Sequence, residues 1–149
     1  LTGDSGGAVP PTANNINILG AGAVTVTGNP GTSTLTISVQ TDSFTWLDEA
    51  ISFAATPQFG YFCTGLLTAT LPASAGLADG DLFIYVCTTA GALVIQSVTA
   101  QKIRIGSLIS GTAGTATSTA IGDSLTLRFN ATDGFFYAVS VIGTWVLSA

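Results

Sequence analysis

Val24-Thr25-Val26-Thr27-Gly28-Asn29-Pro30-Gly31, followed three residues later by Leu35-Thr36-Ile37-Ser38-Val39, sets apolar residues at every second position on both sides of a turn former. A period of two is that of a β-strand, whose successive side chains point to opposite faces. Gly28-Asn29-Pro30-Gly31 supplies residue types that reverse the chain tightly. The stretch therefore reads as a pair of strands with one greasy and one wet face. Upstream, Ile16-Asn17-Ile18-Leu19 repeats the alternation.

Working outward, residues 1–40 form an N-terminal β arm rich in Gly, Asn, Thr and Pro, 41–55 a junction, and 56–149 the body. A ribbon of two or three one-sided strands is marginal in water. Ile16, Ile18, Val24, Val26, Leu35, Ile37 and Val39 thus need cover, either from the chain's own body or from the same segment in neighbouring copies. The length of the arm, its glycines and its separation by the junction favour neighbouring copies, which makes these seven residues the expected intersubunit interface.

Beyond Phe53, Thr, Val, Ile, Gly and Ala dominate, broken by turn signals every eight to twelve positions, and helical periodicity is nearly absent. Strands are predicted near Tyr61–Cys63, Leu66–Leu71, Leu82–Cys87, Leu93–Ser97, Ile103–Ile105, Ser124–Phe129, Phe135–Val141 and Thr144–Leu147. Asp79-Gly80-Asp81 and Thr132-Asp133-Gly134 are predicted turns. The pattern predicts an all-β fold, an antiparallel β-sandwich or jelly-roll-like body with an extended N-terminal β arm. One short helical turn is expected around Trp46–Ala50, capped by Asp42 or Ser43. Ser110–Ala120, small and polar, is expected to be an exposed loop.

Charged residues make up 7% of the chain, against about 25% in an ordinary globular protein, so the surface has little charge to keep copies apart. Three cations, Lys102, Arg104 and Arg128, face eight acids; no basic stripe can neutralise a phosphate backbone, and nucleic-acid binding is not expected. No apolar run reaches the roughly 20 residues of a membrane-spanning helix. The chain opens on Leu1 and has no Met, so it reads as a processed product or a segment of something longer. Cys63 and Cys87 are too few for a disulfide framework and lack zinc-site spacing; they pair in an oxidising compartment or stay buried thiols.

Gly3-Asp4-Ser5-Gly6-Gly7 spells a serine-protease nucleophile, but that chemistry needs a base, and the chain has no histidine and a single lysine. Asp48-Glu49 and Asp79 with Asp81 are the candidate carboxylate pairs for sugar hydrolysis. Neighbours in a strand point apart, and aspartates flanking a turn glycine bond their own backbone. No loop has the alternating acids of a calcium site. Asn130-Ala131-Thr132 matches a glycosylation acceptor. Phe135, Phe136, Tyr137 and Trp145 are read as core, with one outward ring available to a receptor or a subunit. No catalytic residue, metal site or cofactor is expected.

Leu1-Thr2-Gly3-Asp4-Ser5-Gly6-Gly7-Ala8-Val9, Asn15-Ile16-Asn17-Ile18, Val24 to Gly31 and Leu35 to Val39 together resemble the repeat of phage tail-fibre and tailspike-like proteins and related bacterial surface proteins. Gly60-Tyr61, Thr68-Ala69-Thr70-Leu71-Pro72-Ala73, Gly80-Asp81, Leu93-Val94-Ile95-Gln96 and Trp145-Val146 resemble the distal β domain that accompanies it. The resemblance implies a structural or adhesive, non-enzymatic protein, commonly trimeric, on a virion tail or a cell surface. Such fibre proteins are much longer than 149 residues. A bacterial extracellular filament subunit that lends its N-terminal strands to the next subunit fits the same residues. The expectation is a homo-oligomer, a trimer or a head-to-tail filament, or alternatively a tip domain that holds a cell-surface glycan or receptor.

Overall fold

A computed structural model describes residues 24–29, 31, 34–39 and 44–148, and shows an all-β protein with a two-sheet, sandwich-like body. The chain divides by internal contacts into Leu1–Asp42 and Ser43–Ala149. In the first unit β1 (Val24–Asn29) and β2 (Thr34–Val39) pair antiparallel. Ile16 and Ile18 lie outside the described residues.

The second unit begins with β3 (Thr45–Glu49), β4 (Phe53–Ala54), β5 (Phe59–Cys63), β6 (Leu67–Thr70), β7 (Leu82–Cys87) and β8 (Leu93–Gln96). Odd strands join one sheet and even strands the other, so the chain winds back and forth between two layers. Each strand pairs parallel with the next but one: β3 with β5, β5 with β7, β4 with β6 and β6 with β8. Parallel neighbours need a crossover, and here the intervening strand of the opposite layer provides it. A 3-10 turn, Ser74–Gly76, lies in the connection between β6 and β7.

The pairing changes in the second half. β9 (Ile103–Ile105) runs parallel to β13 (Phe135–Ile142), while β10 (Leu108–Ile109), β11 (Thr115–Ser118), β12 (Ser124–Asn130) and β14 (Val146–Leu147) make antiparallel pairs. The seven-stranded sheet has the order β10-β9-β13-β12-β7-β5-β3, and the five-stranded sheet β14-β11-β8-β6-β4. The expected all-β sandwich holds; its expected antiparallel pairing is corrected to a mixed one. Alternation along one strand specifies faces and leaves the direction of its neighbour open.

Inward residues of the larger sheet, Tyr61, Phe83, Tyr85, Leu125, Leu127 and Phe136, meet Leu67, Ala69, Leu93, Ile95 and Ala116 of the smaller one, all buried. Small alanines on one layer leave room for rings on the other: Tyr61 stacks on Tyr85 at 5.4 Å between centroids, and Phe83 meets Phe136 edge-on at 5.7 Å. Burying such side chains contributes roughly 1.5–3 kcal/mol each relative to exposure.

Three further expectations are corrected. Trp46–Ala50 forms no helical turn; Thr45–Glu49 is β3, a strand at the sheet edge. Pairing with β5 overrides the local capping signal, and Trp46 packs so tightly over its register partner Gly60 that a Cβ there would come within 2.6 Å of the indole. Since β3 and β4 already belong to the sheets, the body starts at Ser43 and not at residue 56. Ser110–Ala120 is no exposed loop, because it contains β11, with Ser110, Ala116 and Ser118 buried. Its small residues suit tight quarters: Ser110 Oγ accepts from Ile103 N at 2.9 Å and donates to Gly111 O at 2.9 Å.

Candidate interaction surfaces

The register of the N-terminal ribbon sets Val24 opposite Val39, Val26 opposite Ile37 and Gly28 opposite Leu35. With a period of two, Val26 and its register partner Ile37 fall on one face, and Thr27, Thr36 and Ser38 do not share that face with Ile37. Ile37 is 57% exposed and Val26 half-buried. The sequence placed these residues on one face of each strand, and the register brings the two faces together.

The outer face of the seven-stranded sheet has two contrasting ends. At the β3 end, Trp46 stacks on Phe62 at 4.5 Å, Phe44 meets Trp46 edge-on at 5.6 Å, and Trp46 and Phe62 are both partly exposed. Asp48, exposed, shares this face through its register partner Phe62, while Glu49 follows on the other side of the strand. From the central strand toward the far end, Arg128 of β12, Tyr137 of β13 and Arg104 of β9 stand in register across three strands. The Arg104 guanidinium lies 5.8 Å from the Tyr137 ring centre, and Lys102 Nζ lies 5.7 Å from that of Phe135. Lys102 and Arg104 thus stand toward the β9 end of this face, and Arg128 lies on the middle strand of the seven. Sequence reading counted these cations but could not assemble them, since sheet register is a long-range property.

Of the aromatic residues in the last hairpin, Phe136 and Trp145 are buried, and Phe135 and Tyr137 face out beside the cations. Gly134, at φ +74°, closes the turn, its N–H donating to Asn130 O at 2.9 Å. Asp133 accepts from Phe135 N and from the Tyr137 hydroxyl, and this hydrogen bond raises the Tyr137 pKa above 10.0.

Of the candidate carboxylates, Asp79 and Asp81 have structural partners. Asp79 Oδ1 accepts from Ala131 N at 2.9 Å, and Asp81 Oδ2 accepts from Ala78 N at 2.8 Å. Asp123, buried, takes the Ser118 hydroxyl proton donor and the Thr144 N–H, tying the β11–β12 connection to the chain before β14. Asn130 Oδ1 accepts from Thr132 N at 2.8 Å, so the acceptor triplet forms a local turn. Among the described residues no three His, Cys, Asp or Glu side chains gather as a metal site. Gly3 to Gly7 lie outside the described residues. Cys63 and Cys87 are buried free thiols on adjacent strands, in direct register. Burial, reinforced by Cys87 and Glu49, pushes the Cys63 thiol up to about 12, and burial also raises Cys87.

Among the described residues no helix is long and apolar enough to cross a membrane. No known family model matches the chain, and no curated protein matches it either.

Proposed function

We infer that this protein is a non-enzymatic building block of an extracellular fibre, a phage tail fibre or a cell-surface filament, whose N-terminal strands join one copy to the next. The observation that carries the reading is the single apolar face of the β1–β2 ribbon, with Ile37 57% exposed. Two strands cannot shelter such a face alone. A neighbour that lays a sheet against it, or adds a strand to it, gains main-chain hydrogen bonds and apolar burial together. Each Val, Ile or Leu so covered contributes roughly 1.5–3 kcal/mol before ordering costs.

Light scattering on the full chain tests this. The wild type is expected to be oligomeric and Ile37→Asp to dissociate, since a carboxylate in an apolar joint is costly to desolvate; an oligomer unchanged by the substitution contradicts the reading. Electron microscopy then separates a closed trimer from an open filament. The partly exposed Trp46 stacked on Phe62 favours a second reading, a tip domain that holds a cell-surface glycan. Glycan-array binding abolished by Trp46→Ala would support it, and no binding to any glycan would remove it.

A further inference from the structure

Lys102 and Arg104, at β9, and the β3 acids occupy opposite ends of the same sheet. Five inter-strand steps separate β9 from β3, roughly 24 Å at about 4.8 Å per step. That exceeds the screening length of about 8 Å at physiological salt, so these charges cannot neutralise one another within one molecule. Lys102, Arg104 and Arg128 form no ion pair with a described carboxylate, and Arg104 Nε is buried without an acceptor. Arg128 is held by the Gly80 carbonyl at 3.0 Å between Asp79 and Asp81, which balance it, so the patch is Lys102 and Arg104, whose nearby acid Asp133 is engaged by Tyr137. In a chain of net charge −5, Lys102 and Arg104 are the positive surface open to an acidic edge of another copy.

At the opposite end, β3 pairs with β5 alone, which leaves its outer edge without a strand among the described residues. It carries Asp48 and Glu49 beside Trp46 and Leu47, which are 43% and 39% exposed. At the cationic end the sheet closes on the short β10, whose Leu108 and Ile109 are 63% and 40% exposed. Both ends thus combine apolar surface with charge of opposite sign. In the sheet β3 runs parallel to β5 and β7, β12 antiparallel to β7, β13 antiparallel to β12, β9 parallel to β13, and β10 antiparallel to β9. It follows that β10 runs opposite to β3, and that a copy shifted along the sheet without inversion would set its β3 antiparallel to β10.

We propose that the cationic end of the seven-stranded sheet, Lys102 and Arg104 around Phe135 and Tyr137, receives the acidic β3 edge, Asp48 and Glu49, of a second copy of this chain. The two surfaces differ, so the contact is heterologous, and repeated along the sheet without inversion it extends a row of bodies. The proposal deepens the self-assembly reading and rests on it, but it uses residues of the body and not of the ribbon.

The test is charge-swap complementation in the full chain, read by sedimentation velocity. One variant carries Lys102→Glu with Arg104→Glu, the other Asp48→Lys with Glu49→Lys. Each alone is expected to need about tenfold more protein to reach half-assembly. Mixed in equal amounts, they are expected to recover the wild-type midpoint, because each then meets a complementary partner; a misfolded variant could not be rescued in this way. Raising salt from about 50 mM to about 0.5 M should weaken the wild-type contact. Wild-type assembly by the separate variants, a mixture without rescue, or a midpoint indifferent to salt would each overturn the proposal. If Ile37→Asp dissolves the assembly while the charge variants assemble normally, this contact fails and the ribbon joint stands. The reverse result removes the ribbon joint and keeps this one.

Discussion

The N-terminal ribbon and β7 of the body are written in the same alternating script, yet they end in different environments. In β7, Phe83, Tyr85 and Cys87 are each at most 2% exposed, because β6 and β8 lie across them as a second layer. In β2, Ile37 occupies the same kind of position and is 57% exposed. Alternation creates a face in both, and only a second layer turns that face into a core. The body carries its second layer in its own chain by winding from sheet to sheet. Among the described residues the ribbon is a single layer, and on the reading proposed above its apolar face is the one a second molecule covers.

Truncating a side chain in each place separates the two environments. Phe83→Ala removes a ring buried from both sides and should cost about 3–5 kcal/mol, a large part of the roughly 5–15 kcal/mol that holds a domain together. Urea denaturation would register it as a lower midpoint. Ile37→Ala should leave that midpoint within about 0.5 kcal/mol, as expected of a surface position, while weakening assembly in light scattering. Equal losses of stability at the two sites would mean that the ribbon is sheltered by its own molecule.

Next in size is the Asp123 junction, which sharpens what holds the winding together. Asp123→Ala leaves the Ser118 hydroxyl and the Thr144 N–H without their acceptor in a buried site. The loss should be about 2–3 kcal/mol, as for hydrogen bonds to a charged group, again read from denaturation. Gly143→Ala tests the same junction from the other side. Its φ of +81° is unfavourable for a side chain, and the added Cβ would collide with the Asp123 carboxylate. The double variant should lose less than the sum of the two, because each breaks the same contact.

How much of this was legible depends on how local the signal is. Leu82–Cys87 is readable to the residue, since four strand formers, Phe83 to Val86, follow the Asp79-Gly80-Asp81 turn, and Asp133-Gly134 marks the β12–β13 hairpin. β3, β4, β10 and β11 were missed. β4 and β10 are two residues long, and β11, Thr115–Ser118, is made of small residues whose burial follows from a neighbour's proximity and not from their own hydrophobicity. The cationic cluster was equally hidden: Arg104 and Arg128 meet across Tyr137 only because β13 lies between β9 and β12. Pairing direction was the deepest gap, because parallel winding is a property of two layers together.

The thiols give a gentler, pH-dependent contrast. Cys63 keeps its proton in the folded chain up to about 12, against an ordinary 9.0. The unfolded chain therefore loses a proton first, and stability from this group is intact below about pH 9 and declines as pH rises toward 12. Cys63→Ala should flatten that alkaline slope in pH-dependent melts. At neutral pH both thiols should resist iodoacetamide in the folded protein and take two labels after denaturation, as counted by mass spectrometry. A denatured chain that takes none would instead carry a Cys63–Cys87 disulfide.

The smallest effect probes whether the covered layer is polar by necessity. Tyr61 and Tyr85 stack on each other, but their hydroxyls fare differently. The Tyr61 oxygen accepts from Thr56 N at 2.7 Å and donates to Thr56 O at 3.2 Å, whereas the Tyr85 hydroxyl is buried with no partner. A buried hydroxyl without a hydrogen bond opposes folding, so Tyr85→Phe should be neutral or stabilising by about 1 kcal/mol, and Tyr61→Phe destabilising by a similar amount because the Thr56 N–H loses its acceptor. Opposite signs from the same deletion on stacked neighbours would locate the difference in the hydrogen bonds, since the rings and their packing are unchanged. If Tyr85→Phe proved as costly as Tyr61→Phe, the Tyr85 hydroxyl would have to be bonded to ordered water, and the layer between the sheets would be wetter than its apolar lining implies.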